Sequence, residues 1–196
     1  MTSVLIIGGG GMIGQKLASS FSKNDSLTLL DIGFPNKNQS NARKIIGSVG
    51  DPEIIENSLN DLPEVIYYLA SVVSGEAEAD FSKGWDVNIH AFWAFLSLVK
   101  KLNEKSQGQY KPKIIFTSSI AVFGSPFPDQ IPDDFITAPR TSYGAQKASC
   151  ELMLNDFSRK GFCEGLAIRL PTICVRPGKP NLAASSFFSG IIREPL

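Results

Sequence analysis

The chain is poor in the residues that build disulfide frameworks and metal centres. Its three cysteines, Cys150, Cys163 and Cys174, are odd in number and fit no metal spacing. They read as reduced, mostly structural thiols of a cytoplasmic protein. The only histidine, His90, stands outside any metal-ligand pattern and is expected to be structural, so no metal site is assigned. Charge of one sign is also lacking. With 19 basic and 19 acidic side chains, no global field recruits nucleic acid or an acidic membrane. No segment reaches the ~18 consecutive apolar residues of a membrane span. The first apolar run stops at glycines, without the charged start and cleavage site of a signal peptide. Repeats and low-complexity tracts are absent. A chain of 196 residues suits one α/β domain with a sizeable core, and room for the start of a second part.

What is present is organised around residues 2–21, TSVLIIGGGGMIGQKLASSF. The unbroken run Val4-Leu5-Ile6-Ile7 suits a strand buried on both faces of a parallel sheet. Four glycines follow, Gly8 to Gly11, and then a helical pattern carried by Met12, Ile13, Leu17, Ala18 and Phe21. Strand, glycine turn and helix open a dinucleotide-binding unit. The turn needs unusual backbone angles, the pyrophosphate must approach the main chain, and the helix must pack close to the strand. Free N–H groups at the helix start then face the phosphates. The run satisfies Gly-x-Gly-x-x-Gly through Gly9, Gly11 and Gly14, and Gly-x-x-Gly-x-x-Gly through Gly8, Gly11 and Gly14.

A second strand, Ser26 to Asp31, ends in an acid seventeen residues after Gly14, where a carboxylate meets the adenosine ribose of NAD. The same charge would repel the 2′-phosphate of NADP. A third strand is expected over 43–49. Asp51 is then placed as the N-cap of a helix and is also a candidate contact for the adenine amino group. The fourth strand is expected over 64–69, and the small residues Ala70 and Ser71 at its end let a cofactor pass close by. A long helix over 83–102 has apolar coverage wider than one face, which implies burial on two sides. Asn88 lies inside it and needs partners. The fifth strand, 113–117, runs into Ser118 and Ser119.

The chemistry is concentrated in Ser119 and in Tyr143-Gly144-Ala145-Gln146-Lys147. Tyr143 and Lys147 are four apart, so on a helix they face the same way. A phenol titrates near 10, and a neighbouring ammonium favours the phenolate. Tyr143 then becomes a usable base for a hydroxyl proton. Ser119 is placed to hydrogen-bond the same substrate oxygen, and Lys147 to hold the nicotinamide ribose. Taken alone, Tyr-x-x-x-Lys is common; its meaning comes from its order after the glycine turn and the serine strand.

With these residues the chain resembles the extended short-chain dehydrogenase/reductase family over essentially its whole length. The carrying segments are GGGGMIG at 8–14, Asp31, Gly50-Asp51, LAS at 69–71, FTSSIAVFG at 116–124 and YGAQK at 143–147. The resemblance implies that Ser119, Tyr143 and Lys147 are the catalytic Ser, Tyr and Lys. It places Met12, Ile13, Leu69, Ala70, Asn88, Thr117, Tyr143 and Lys147 around the cofactor or in its supporting shell. SGEAEADF at 74–81, RLPTICVRPGKPN at 169–181 and AASSFFSGIIREPL at 183–196 narrow it to the D-erythronate dehydrogenase group, once lumped with nucleotide-sugar epimerases. One departure is Val87-Asn88-Ile89-His90, expected to affect helix packing rather than chemistry. The other is length: family members run to about twice a minimal Rossmann domain, so a shortened substrate part is expected.

The expectation is therefore a doubly wound parallel sheet in the order 3-2-1-4-5-6, with NAD across the C-terminal strand ends. Residues 1–178 form the NAD-binding Rossmann domain and 179–196 begin the substrate part. The expected reaction oxidises D-erythronate to its 2-oxo acid. The alternatives are a nucleotide-sugar 4-epimerase, and an NAD-binding module without turnover. Pro171 and Thr172 should lie near the nicotinamide. Arg176 is either the cation for the substrate carboxylate or a solvated loop arginine. The helices at 83–102 and 143–158 are expected to pair across a two-fold axis in a homodimer.

Overall fold

The computed structural model describes residues 2–22, 24–35, 42–175, 183 and 186–193. Its centre is one parallel sheet of six strands. In chain order the elements are β1 (Ser3–Ile7), α1 (Met12–Ala18), β2 (Ser26–Asp31), β3 (Arg43–Ile46) and α2 (Pro52–Ser58). Then come β4 (Val65–Tyr68), α3 (Ser74–Ala79), α4 (Phe81–Trp85), a π-helical turn (Asp86–His90) and α5 (Ala91–Lys105). The last part holds β5 (Lys113–Ser119), α6 (Ser142–Arg159), β6 (Glu164–Leu170) and α7 (Ser186–Arg193). The strand order is β3-β2-β1-β4-β5-β6, as the sequence predicts. Between β1 and β4 the direction of strand addition reverses, and a crevice opens at such a point.

Side chains of β1 alternate between two cores, which is why its apolar run is unbroken. Leu5 and Ile7 face the larger core, with α2, α5 and α6. Val4 and Ile6 face the smaller one, with Ala18 of α1 and Leu29 of β2. The larger core is built on an aromatic cluster. The Tyr68 ring stands 4.8 Å from Phe92 and 5.2 Å from Phe95, and Phe92 packs 4.8 Å from Phe116. Deleting one such ring costs about 3–5 kcal/mol.

Four expectations change. The third strand ends at Ile46 rather than 49, because the chain turns there to start α2. Asp51 Oδ1 accepts the Glu53 N–H at 3.0 Å and caps that helix, as expected. The first helix stops at Ala18, although Phe21 still packs on the smaller core. An unexpected short helix, α3, precedes the long one. The long helix itself is interrupted by the π turn, on which Asn88 is buried. His90 is exposed, with Nδ1 3.1 Å from Asp86 Oδ1. No helix among the described residues is long and apolar enough to cross a membrane.

Candidate active site

The glycine turn is shaped by close approach. Gly8 has φ +90°, in the left-handed region, and a Cβ there would lie 2.7 Å from the Ala70 nitrogen. A Cβ on Gly14 would lie 2.3 Å from the Gly8 carbonyl oxygen, so α1 rests directly on the turn. Gly8 and Gly9 donate to the Leu30 carbonyl at 2.8 and 3.0 Å, tying the turn to β2. Gly11 differs: its nearest neighbour to a built Cβ is at 3.4 Å, and its face is part of a cavity wall. Asp31 Oδ2 accepts the Gly10 N–H at 2.8 Å. That bond puts the carboxylate beside the glycine turn, at the end of β2.

A cavity of about 670 Å³ runs along the C-terminal ends of the strands. Its walls bring together Gly8, Gly11, Met12, Ile13 and Gly14 from the turn, Leu69 from the end of β4, and Thr117 and Ser119 from β5. Tyr143 and Lys147 of α6 and Pro171 and Thr172 after β6 complete the expected set on the wall. Asp31, Asp51 and Ala70 lie outside the lining. Ala70 sits directly behind Gly8, with its N–H and that of Leu69 both donating to the Ile7 carbonyl. Arg176 lies outside the described residues.

Asn88 also lies behind the wall rather than on it, and this is the supporting-shell half of the expectation. Its Oδ1 accepts from the Val72 N–H at 2.8 Å and the Ser71 hydroxyl at 3.0 Å. Its amide donates to the Val72 carbonyl at 3.2 Å and to Gln146 Oε1 at 2.7 Å. The π turn thus ties the segment after β4 to the helix that carries Tyr143 and Lys147.

Thr141 caps α6 through the Gly144 N–H at 3.0 Å, and Glu78 of α3 accepts the Ser142 N–H at 2.5 Å. This fixes the first turn, where Tyr143 stands. One turn on, Lys147 is only 2% exposed. Its Nζ donates to the Thr117 carbonyl at 2.8 Å, 4.6 Å from the Phe116 ring centroid and 5.6 Å from that of Tyr143. Burial pulls this ammonium down to about 8. At pH 7 it is still charged by roughly ten to one, and so still favours a phenolate beside it. Ser119 Oγ accepts the Ala121 N–H at 3.1 Å, which fixes the hydroxyl on the wall.

Two groups escaped the sequence reading. Ser118 donates to Glu151, whose carboxylate also holds Arg169 at 2.8, 3.1 and 3.2 Å. Ser118 and Arg169 are register partners on β5 and β6, and Glu151 is one turn beyond Lys147. The triad locks β5, β6 and α6 together under the site. The only trace of this group in the sequence is the four-residue spacing of Lys147 and Glu151. The second group is Ser189 and Arg193 of α7, which line the cavity. Among the described residues no cluster of His, Cys, Asp and Glu suits a metal.

The family described as NAD dependent epimerase/dehydratase matches residues 4–194. The chain is 43% identical to the D-erythronate dehydrogenase of Cupriavidus necator, over 99% of this chain and 62% of that enzyme. It is 42% identical to that of Haemophilus influenzae, over 98% of this chain and 62% of the relative. Among solved structures, that of the nucleoside-diphosphate-sugar epimerase from Agrobacterium tumefaciens superposes with a TM-score of 0.88 at 45% identity. That match covers 99% of this chain and 59% of the other. The chain therefore spans about three fifths of the length of these relatives.

Proposed function

The chain belongs to the NAD dependent epimerase/dehydratase family, and from that premise we propose that it is the catalytic part of an NAD-dependent dehydrogenase of a short sugar acid, oxidising D-erythronate to its 2-oxo acid. The observation that carries this is the joint presence of Ser119, Tyr143 and Lys147 on one wall with the glycine turn. The likeness to two D-erythronate dehydrogenases over nearly the whole chain supports the substrate. The glycine turn suits a dinucleotide, since Gly8 and Gly14 let the turn close against the Leu69–Ala70 backbone and α1, and Gly11 leaves its backbone bare on the cavity wall. Gly8, Gly11 and Gly14 would hold the pyrophosphate, Asp31 the adenosine ribose and Lys147 the nicotinamide ribose.

The glycine turn, Asp31 and Lys147 would hold NAD, which would supply the hydride acceptor for the alcohol carbon. Tyr143 takes the hydroxyl proton of that alcohol, and Ser119 donates a hydrogen bond to the same oxygen. Lys147, held by the Thr117 carbonyl, supplies the nearby positive charge that makes the phenolate accessible. Residues 1–178 carry this machinery, and 179–196 begin the substrate side. We assign the assembly to a homodimer through α5 and α6.

A panel of four- to six-carbon sugar acids with NAD, read by NADH absorbance, tests the reaction. D-erythronate should lead, and Tyr143→Phe should cut turnover by at least ~100-fold with little change in NAD affinity. The similarity to a nucleoside-diphosphate-sugar epimerase favours one second reading, a sugar-nucleotide epimerase. That enzyme would return the hydride to its substrate, so net NADH release from a free sugar acid separates the two. NAD binding with no turnover of any acid would overturn the dehydrogenase.

A further inference from the structure

The wall of the cavity has a distinct charge pattern. Among the described residues it carries two cations, Lys147 and Arg193, and no carboxylate. Lys147 is deeply buried and committed to the Thr117 carbonyl beside Tyr143. Arg193 is half-buried and comes from a different element, α7.

The orientation of α7 sharpens the point. Ser189 and Arg193 are four apart, so they share a face, and both line the cavity. Ser189 is fully buried there, whereas Phe187, Ile191 and Ile192 are 57%, 70% and 61% exposed. A helix on a folded surface ordinarily hides its apolar face and shows its polar one. Here the polar pair is turned inward and the apolar residues outward. That arrangement puts a guanidinium on the cavity wall, and a guanidinium there selects an anion. The planar fork matches a carboxylate with two parallel N–H bonds.

We propose that Arg193, presented by α7 with Ser189, binds the substrate carboxylate and selects acids over neutral polyols at this site. The assignment deepens the sugar-acid reading of the site and rests on it. It gives a cation within the described residues the role considered for Arg176. It also explains why α7 places a long charged side chain on a wall where, among the described residues, Lys147 is the one other charged group.

The test is titration calorimetry on the full chain loaded with NAD, with D-erythronate and erythritol, a neutral four-carbon polyol, as probes. Wild type should bind the acid more tightly than the polyol. Arg193→Gln should weaken D-erythronate by ~10- to 100-fold, the range for charge-assisted hydrogen bonds, and leave erythritol and NAD affinity unchanged. Arg193→Lys should fall between, since it keeps the charge and loses the fork. Equal D-erythronate affinity in wild type and Arg193→Gln overturns the assignment. So does a matching loss of NAD affinity, which would give Arg193 to the cofactor or the fold. If wild type ignores D-erythronate but binds another sugar acid through Arg193, the substrate identity falls and the Arg193 assignment stands. If wild type binds no acid at all, both fall.

Discussion

At the scale of single residues, Lys147 shows burial and chemistry pulling against each other. Loss of solvent lowers its ammonium to about 8 from an ordinary 10.5. Cys150 nearby opposes only part of that shift, and burial pushes its own thiol up to about 12. Between about 8 and 10.5 the unfolded chain holds more of this proton than the folded one, so stability rises with pH through that window. Below it the full cost of burying the charge applies. The cost is at most about 3–4 kcal/mol, the free-energy equivalent of the fall from 10.5 to about 8. Urea unfolding at pH 7 and pH 10 should show wild type gaining on Lys147→Met by up to that amount. Parallel changes in the two proteins would contradict the assigned cause. Asp31 supports a second expectation. Its Oδ2 is held by the Gly10 N–H beside the turn, where a 2′-phosphate would meet an unpaired negative charge. NAD should bind at least ~10-fold more tightly than NADP, and Asp31→Ala should narrow the gap. Equal affinities in wild type would mean that the carboxylate serves the turn alone.

At the scale of elements, the π turn at Asp86–His90 connects the segment after β4 to α6, the helix that carries Tyr143 and Lys147. Its extra residue per turn rotates Asn88 inward, where four hydrogen bonds join the segment after β4 to Gln146 of α6. Asn88→Ala would strand the Val72 N–H and the Gln146 carbonyl oxygen in a buried setting. Such groups cost about 1–3 kcal/mol each. Denaturant unfolding should therefore show a loss of about 2–4 kcal/mol, with weaker NAD binding as the Leu69–Val72 wall loosens. A loss under ~1 kcal/mol would mean that water replaces the amide. The strands were legible in the sequence because short apolar runs bounded by glycine and acids have few other readings. The glycine turn, Ser119, Tyr143 and Lys147 were legible because their spacing carries their geometry. The π turn was not, since one added residue leaves the helical periodicity of Trp85 to Leu102 almost unchanged. Glu151 and Arg169 were hidden for another reason: their contact depends on the register of β5 against β6, which no local pattern records. The inward polar face of α7 ran against the ordinary reading of Phe187, Ile191 and Ile192 as core.

At the scale of the whole molecule, the remaining apolar exposure is what decides assembly. Most of α5 is consumed by the larger core, where Phe92, Phe95, Leu96 and Val99 are fully buried. Coverage on the outer side is narrower than the composition of the helix suggests. Trp93 remains 53% exposed, with its ring set edge-on 5.7 Å from Phe157 of α6, and Leu152 of α6 remains 70% exposed. The two helices thus present one apolar patch to the outside, and a two-fold axis through it would match each copy to itself. Four helices would then bury Trp93 and Leu152 of both copies, the ordinary closed solution for such a face. Sedimentation at micromolar concentration should give a dimer for the wild-type chain. The double substitution Trp93→Glu, Leu152→Glu should give a folded monomer, because it sets like charges opposite each other across the axis. Ile191→Glu on the outer face of α7 should leave the dimer intact. A wild-type monomer, or a dimer that survives the double substitution and yields to Ile191→Glu, would move the interface away from α5 and α6.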